Sequence, residues 1–146
     1  SFKFIVYVDG GSRGNPGPAA IGVVIEGGSV GKKEYGEYLG EATNNEAEYK
    51  AIIFGLKKIK ALFGKEKAAK TEVEMRMDSE LAFKQLTGEY KIEAENIKPL
   101  FIDVWNLKLD YKNVSFRHIP REQNKEADRL VNEALDEKTR KAEKLF

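Results

Sequence analysis

Two carboxylates each stand directly after an apolar run that is typical of a buried strand. Asp9 follows residues 2–8, which are apolar at nearly every position, and Asp78 follows residues 71–77, in which apolar and charged side chains alternate. The first pattern predicts a central strand covered on both sides. If the two strands are parallel neighbours, Asp9 and Asp78 lie side by side at the sheet edge where open α/β sheets bind ligands.

Two further carboxylates share helix faces with apolar residues. Asp128 is at helical spacing with Val131 and Leu135. Glu48 is at helical spacing with Ile52, Gly55, Ile59 and Leu62. A charge on a buried stripe is costly unless it is paired or bound to metal. A single Asp at a strand end is commonly a solvated charge or a turn cap, so the four together carry the argument. Their mutual repulsion predicts a divalent cation, and carboxylate ligands suit Mg²⁺ or Mn²⁺.

The pattern of the chain predicts the elements that position these groups. The expected strands and helices cover residues 2–8, 19–26, 32–39, 43–62, 71–77, 80–86, 98–109, 114–118 and 123–137. Residues 10–18 are expected to form a turn and residues 64–70 a loop, and Asn44 or Asn45 is the expected N-cap of the long helix. The order βββαβααβα predicts an α/β fold, a five-stranded mixed sheet flanked by helices. A helical crossover makes the first and fourth strands parallel.

Composition limits the class of protein. The 146 residues fit one domain, assigned here to residues 1–138 with a charged, frayed tail at 139–146. The start, residues 1–6, reads as a strand rather than a signal peptide, and no run is long and apolar enough for a membrane span. Without cysteine, disulfides and thiolate metal sites are excluded, which suits a cytoplasmic protein. A net charge of +1 argues against a general polyanion binder.

Four segments resemble the motifs of type 1 ribonuclease H, in the same order and at similar spacing. They are DGGSRGNPG at residues 9–17, TNNEAEY at 43–49, MDSE at 77–80 and HIPREQNKEAD at 118–128. The resemblance covers nearly the whole chain and is greatest to the archaeal-type branch. It implies a ribonuclease H-like fold and hydrolysis of the RNA strand of RNA–DNA hybrids. Two Mg²⁺ ions, with Mn²⁺ as a substitute, would be held by Asp9, Glu48, Asp78 and Asp128, leaving 5′-phosphate and 3′-hydroxyl ends.

The same resemblance implies contacts with the substrate. The positions concerned are Gly11, Asn15, Thr43, Asn44, Asn45 and Asn96. The three asparagines at 15, 44 and 45 would contact the minor groove of the hybrid, where an amide can both donate and accept. Turn formation and helix capping are their alternative, purely structural explanations. Thr43, with Asn96 as a loosely aligned partner, would grip a DNA phosphate. Glu48 would also recognise the RNA 2′-hydroxyl, and Gly11 would let the RNA approach the backbone.

An auxiliary cation near the scissile phosphate has two candidates in this chain. His118 lies ten residues before Asp128, as the mobile histidine of the family does. Arg121 is its rival in the archaeal-type branch, since a guanidinium can hold a phosphate oxygen. A lone histidine at a strand end is more commonly structural. The sequence leaves the choice between them open.

Three departures from the family pattern predict weaker binding of the hybrid. Residues 87–96 are short and mixed in charge, so the basic protrusion of bacterial enzymes is missing. Glu80 replaces a neutral residue, and Glu41 stands near the place of an arginine. Fewer phosphate contacts also predict a flatter salt dependence. A monomer is expected, and activity on double-stranded RNA stays open.

Two other functions are weighed against this one. A phosphotransferase related to actin and sugar kinases would share the sheet topology, but it needs two such domains and a phosphate loop. No Gly-Lys-Ser/Thr motif follows the glycines here. A catalytically silent nucleic-acid-binding module would not require four carboxylates. The chain could also be a part of a larger polymerase or fusion enzyme.

Overall fold

A computed structural model describes residues 2–28 and 31–145 of the chain. Its strands are β1 (Phe2–Ser12), β2 (Gly17–Glu26), β3 (Lys32–Ala42), β4 (Thr71–Met77) and β5 (Asn113–His118). Its helices are α1 (Asn44–Phe63), α2 (Lys65–Ala68), α3 (Glu80–Leu86), α4 (Lys98–Lys108) and α5 (Lys125–Lys144), with a 3₁₀ turn at Arg121–Gln123 before α5. The expected strand start at Ser1 and the tail end at Phe146 lie outside the described residues.

Within the described ranges, the strands form one five-stranded sheet in the order β3-β2-β1-β4-β5. β1 is antiparallel to β2 and parallel to β4, with Val8 opposite Met77, and β5 continues the parallel half. The expected α/β fold, mixed sheet, element order and parallel pairing of the first and fourth strands are therefore confirmed. The connection between α3 and α4 is short and, in this described stretch, carries no helix.

The sheet is covered by α1 on one face and by α5 on the other. β1 places Phe4, Val6 and Val8 fully in the core beneath α1, while the alternate residues of the strand are half-buried. α1 contributes the apolar side chains of Tyr49, Ile52, Leu56 and Ile59 to the same core. α4 packs on α1, and α5 lies across β2 and β3. Burial of these side chains, at about 25 cal/mol per Å² of apolar surface, drives the assembly of the layers.

The start of α1 differs from the expectation that Asn44 or Asn45 caps it. Thr43 is the N-cap: its hydroxyl accepts from the Glu46 amide at 3.1 Å, and the Glu46 carboxylate accepts from the Thr43 amide at 2.8 Å. This reciprocal capping box satisfies two backbone donors at once, which a single asparagine cap does not. The asparagines are thereby left free for other contacts.

Several boundaries also differ from the expectations. β1 continues to Ser12 because it pairs with β2, so the turn expected over residues 10–18 is shorter. The loop expected at 64–70 contains α2. Leu62, expected on the buried face of α1, is 41% exposed. α5 continues to Lys144, so the helix end expected at residue 137 and the frayed tail expected at residues 139–146 are wrong, whereas the division of the chain at residue 138 stays a prediction.

Among the described helices, none combines the length and the apolar character that crossing a bilayer requires.

Candidate active site

The carboxyl ends of two parallel strands bring Asp9 and Asp78 together. Val8 and Met77 are paired across β1 and β4, so the residues that follow them are neighbours at one edge of the sheet. Glu48, in the first turns of α1, reaches the same place. One carboxylate oxygen from each of the three residues lies within 4.8 Å of the others. Three of the four expected carboxylates therefore meet.

Gly10 explains how Glu48 can come so close to β1. A Cβ atom at this position would lie 2.2 Å from the carbonyl carbon of Ala47 and 2.5 Å from the amide nitrogen of Glu48. Real Cβ atoms do not approach backbone so closely, so only glycine lets α1 rest directly on the strand. The distance between Glu48 and Asp9 is thus fixed by contact between two backbones.

The carboxylates of the cluster are buried and close to one another, and both effects disfavour their ionised forms. Burial raises the pKa of Asp9 to about 7, and the nearby Asp78 and Asp128 carboxylates add to the rise. Burial, followed by repulsion from Asp9, holds the pKa of Glu48 well above its usual range. Glu48 is 6% exposed, and its Oε2 has no hydrogen-bond partner among the described residues. A buried, unpaired oxygen within an all-oxygen donor set fits a hard divalent cation.

Asp128 completes the group from the opposite face of the sheet. It lies in the first turn of α5, close enough to Asp9 to raise the pKa of that residue. The expectation that Asp128 lies on the buried stripe is wrong, because the side chain is exposed. It nevertheless faces the same cleft as Val131 and Leu135. An exposed position costs a carboxylate little desolvation and lets it move more freely than Glu48.

Two glycines paired across β2 and β3 place α5 at this height above the sheet. A Cβ atom on Gly22 would lie 2.0 Å from the Ala127 carbonyl oxygen, and one on Gly36 would lie 2.9 Å from the Leu130 carbonyl oxygen. The helix backbone therefore rests on the strand backbone beside Asp128. The sequence analysis did not identify these glycines, because a glycine within a predicted strand is the only feature of the sequence that indicates such a close contact.

An open cleft of about 610 Å³ lies over the carboxylates. Its walls are formed by the β1–β2 turn, the start of α1, the start of α3, the 3₁₀ turn and α5. Gly11, Asn15, Asn44, Asn45 and Arg121, which the sequence analysis selected, all line it. Thr43, Asn96 and His118 are not among its lining residues in the described part of the chain.

The asparagines are held in the cleft wall by defined bonds. Asn15 Oδ1 accepts from the Asn44 amide at 3.0 Å, and Asn44 Oδ1 accepts from the Ser12 amide at 2.9 Å. These bonds tie the β1–β2 turn to the start of α1. Asn45 Nδ2 donates to Gln85 Oε1 at 3.3 Å, and its own Oδ1 is buried without a partner among the described residues. The side-chain amides are therefore held in defined positions, and part of their hydrogen-bonding capacity is unused.

Thr43 and Asn96 lie near one another at the edge of the site. The Thr43 amide bonded to Glu46 is the main cause of a lowered Glu46 pKa, and the Asn96 side chain adds to the lowering. Thr43 uses its hydroxyl oxygen as an acceptor in the capping box, and its side chain also contributes to the lowered pKa of Glu46. The structure thus brings this expected pair together around Glu46.

The two candidates for the auxiliary cation occupy different surroundings. His118 Nε2 donates to the backbone oxygen of Asp78 at 3.2 Å, and its ring stacks on Phe83 with centroids 5.6 Å apart. Arg121, on the 3₁₀ turn, is exposed and faces the cleft. Both side chains are exposed, but only Arg121 of the two lines the cleft over the carboxylates.

The structure also reveals residues that the sequence analysis did not select. Arg13 lines the cleft and donates to Asp136 on α5 at 2.6 Å. Gln85 is buried and bonds both Asn45 and the hydroxyl of Tyr49. Asn124 is buried between β1, β4 and α5; its place just before a helix marks it only as a possible N-cap. Long-range partners of this kind leave no local signal.

Comparisons with known proteins agree with this arrangement. A family model described as reverse transcriptase-like matches residues 7–134. Ribonuclease HI of Halobacterium salinarum is 42% identical over 132 residues, which are 90% of this chain and 63% of that protein. A bifunctional protein of Mycobacterium tuberculosis is 36% identical over 136 residues, which are 92% of this chain and 36% of that protein. The chain thus spans less than two thirds of these relatives.

Among solved structures, LC11-RNase H1 in complex with an RNA/DNA hybrid is similar over its whole fold. It is 45% identical in sequence, and the superposition has a TM-score of 0.85 and covers 93% of this chain and 99% of that chain. The segment matched by the family model contains Asp9, Glu48, Asp78 and Asp128. The sequence motifs, the sheet topology, the carboxylate cluster and these relatives agree: the chain belongs to the type 1 ribonuclease H family.

Proposed function

We propose that this protein is a metal-dependent endonuclease that hydrolyses the RNA strand of RNA–DNA hybrids. The observation that carries the proposal is the meeting of Asp9, Glu48 and Asp78 oxygens within 4.8 Å at the floor of an open cleft. Membership of the family and the hybrid-bound relative support it. The products would be 5′-phosphate and 3′-hydroxyl ends.

Asp9, Glu48, Asp78 and Asp128 would hold the metal. Two Mg²⁺ ions are proposed, with Mn²⁺ as a substitute, because both cations prefer carboxylate oxygen. When bound, such ions activate water as the nucleophile and stabilise charge on the leaving oxygen. The chain itself supplies the spacing of the four carboxylates. The three that meet at the sheet edge are held by backbone geometry, and the exposed Asp128 adjusts to its ligand.

Selection of RNA would depend on the wall of the cleft that the β1–β2 turn and α1 form. Glu48 is proposed to accept a hydrogen bond from the ribose 2′-hydroxyl, the group that distinguishes RNA from DNA. Gly11 has no side chain to obstruct the approaching strand. Asn15, Asn44 and Asn45 line the cleft and would contact the minor groove of the hybrid.

The DNA strand would be held at a phosphate by Thr43, through its hydroxyl group, and by Asn96. Glu41 and Glu80 are negatively charged near this surface and would oppose the backbone of the substrate. We therefore propose binding weaker than that of enzymes with a basic protrusion, and a flatter salt dependence. The protein is proposed to act as a monomer in the cytoplasm.

Arg121 is proposed as the auxiliary cation in preference to His118. Its guanidinium faces the cleft, whereas the His118 ring is engaged by Phe83 and by the Asp78 carbonyl. A guanidinium can bind a phosphate oxygen through charge-assisted hydrogen bonds and remains charged at every working pH. His118 would then support the end of β5 beside Asp78.

A single assay tests the proposed function. Labelled RNA–DNA hybrid is incubated with the protein and Mg²⁺ or Mn²⁺, with ATP hydrolysis measured in parallel. Cleavage of the RNA strand alone, with 5′-phosphate ends, is expected, and Asp78→Asn should abolish it while circular dichroism remains native. Hybrid binding without cleavage under either metal would instead indicate a silent binding module, and ATP hydrolysis would indicate a phosphotransferase.

A further inference from the structure

Asn124 lies at the junction of the elements that carry the acidic residues. It is the residue before α5, it is 1% exposed, and its side chain enters the space between β1 and β4. Although it occupies the N-cap position, its side chain makes no capping bond to the helix. The buried amide must therefore find hydrogen-bond partners outside the helix, because burying a polar group without hydrogen bonds is costly.

The contacts of Asn124 reach three of the four carboxylate-bearing segments. Its Nδ2 donates to the Val8 carbonyl oxygen at 2.8 Å and to Asp78 Oδ2 at 2.8 Å. Its backbone oxygen accepts from the Asp128 amide at 3.2 Å. Val8 directly precedes Asp9 in β1. One residue therefore connects the strand of Asp9, the carboxylate of Asp78 and the first turn below Asp128.

The orientation of this amide is fixed by its partners. Both groups that face Nδ2 are acceptors, so the NH₂ end must point at them; the reversed amide would place oxygen against a carbonyl and a carboxylate. The Oδ1 atom is buried and has no hydrogen-bond partner among the described residues. The side chain thus gives up one bond to keep its two donors on Val8 and Asp78. That is the pattern of a group held for what it donates.

We propose that Asn124 is a positioning residue of the metal site, an inference that rests on the proposed function. Its N–H group holds the Asp78 carboxylate against the repulsion of its neighbours, and its link to β1 sets where α5 begins and hence where Asp128 stands. Asn124 does not touch the substrate. Its loss weakens the binding of metal and slows the reaction without changing the affinity for the hybrid.

The test compares three variants with the wild-type chain. Asn124→Ala removes both donors, and Asn124→Asp replaces them with a further carboxylate against Asp78. Asn106→Asp makes the same change of charge at an exposed position on α4 and serves as the matched control. Mn²⁺ affinity is measured by calorimetry without substrate, and kcat and KM for a hybrid are measured over a range of Mn²⁺ concentrations. Melting curves identify the variants that remain folded.

For Asn124→Ala we expect Mn²⁺ affinity to fall roughly 10- to 100-fold, the usual effect of losing a group that orients a metal ligand. The kcat at low Mn²⁺ should fall with it and recover at high Mn²⁺, with KM for the hybrid unchanged. Asn124→Asp should lose more, because it adds repulsion, and Asn106→Asp should behave as wild type. If Asn124→Ala does not fold, Asn124→Ser, which keeps one O–H donor, takes its place with the same readouts.

The outcomes separate the two proposals. A folded Asn124→Ala or Asn124→Ser protein with wild-type Mn²⁺ affinity and kcat overturns the positioning role while hybrid cleavage stands. A raised KM at unchanged kcat also overturns it, since that pattern belongs to a substrate contact. If the wild-type protein binds Mn²⁺ more tightly than Asn124→Ala but cleaves no hybrid, the proposed function fails and the positioning role is supported.

Discussion

Replacing Asp9 with asparagine is expected to abolish hydrolysis and, at the same time, to stabilise the metal-free protein above neutral pH. Burial and the neighbouring carboxylates raise the pKa of Asp9 from 3.8 to about 7. A carboxyl group whose pKa is higher in the folded state stabilises the fold fully only below its unfolded pKa. That stability is lost as the pH rises to the folded pKa. An asparagine carries no such pH dependence.

The size of the effect follows from the shift in pKa. A difference of about 3 between the folded and unfolded pKa corresponds to about 4 kcal/mol at pH 8. Small shifts of the neighbouring Glu48 and Asp78 carboxylates in the wild-type protein relieve part of the repulsion, so the gain lies between roughly half of that value and the whole of it. For a chain of this length, about 2–4 kcal/mol corresponds to a rise in Tm of roughly 5–15 °C. At pH 4 the difference should nearly vanish, because Asp9 is then protonated in the folded state.

The assay is thermal unfolding in the presence of a chelator at pH 4, 6 and 8. Asp103→Asn, the same substitution at an exposed site on α4, is the control and should show no such dependence on pH. Adding Mn²⁺ should raise the Tm of the wild-type protein and have less effect on Asp9→Asn, since a ligand for the metal is lost. An Asp9→Asn protein that melts at or below the wild-type temperature at pH 8 would refute the reasoning.

Three further outcomes are expected. Arg121→Ala should lower kcat roughly 100-fold, because one donor that stabilises the transition state is lost. His118→Ala should lower kcat less. If steady-state kinetics show the reverse order, the auxiliary role belongs to the histidine. Arg13→Met should raise KM and reduce the slope of log KM against log salt by about one, if the arginine meets a substrate phosphate; an unchanged slope would exclude that contact. Gly10→Ala should cost about 3 kcal/mol or more in urea unfolding, because its Cβ would overlap the backbone of α1, whereas Gly11→Ala, with ordinary contacts, should cost much less.

The features of the fold that depend on local pattern could be predicted from the sequence. Alternation of apolar residues marks β4, and the parallel pairing that follows from a helical crossover places Asp9 beside Asp78. Helical spacing with apolar residues then adds Glu48 and Asp128, and the motif resemblance supports both. These inferences need only the period of a strand, the handedness of a crossover and the cost of burying charge.

The features that depend on contacts distant in sequence could not be predicted in the same way. The Thr43 cap of α1 is a different case, because Glu46 is only three residues away and the T-x-x-E pattern is a local signature of a capping box. Asp128 is exposed on α5 next to Ala127, whose carbonyl oxygen packs against Gly22, 106 positions before Asp128 in the chain. The donors of Asn124 reach strands more than 40 residues away. Apart from the capping box, these are tertiary contacts between residues that look ordinary locally.

The close backbone contacts at Gly10 and Gly22 have a consequence for protein engineering. They limit how closely each helix can approach its strand, because two main chains that already touch cannot be brought nearer by changing the size of a core side chain. Ile52, Leu56 and Ile59 on the buried face of α1 can therefore be exchanged for other apolar residues of similar volume to raise stability, with little effect on the spacing of the carboxylates. Substitutions intended to fit new substrates into the cleft are instead best placed on the exposed face of α5, which carries Asp128.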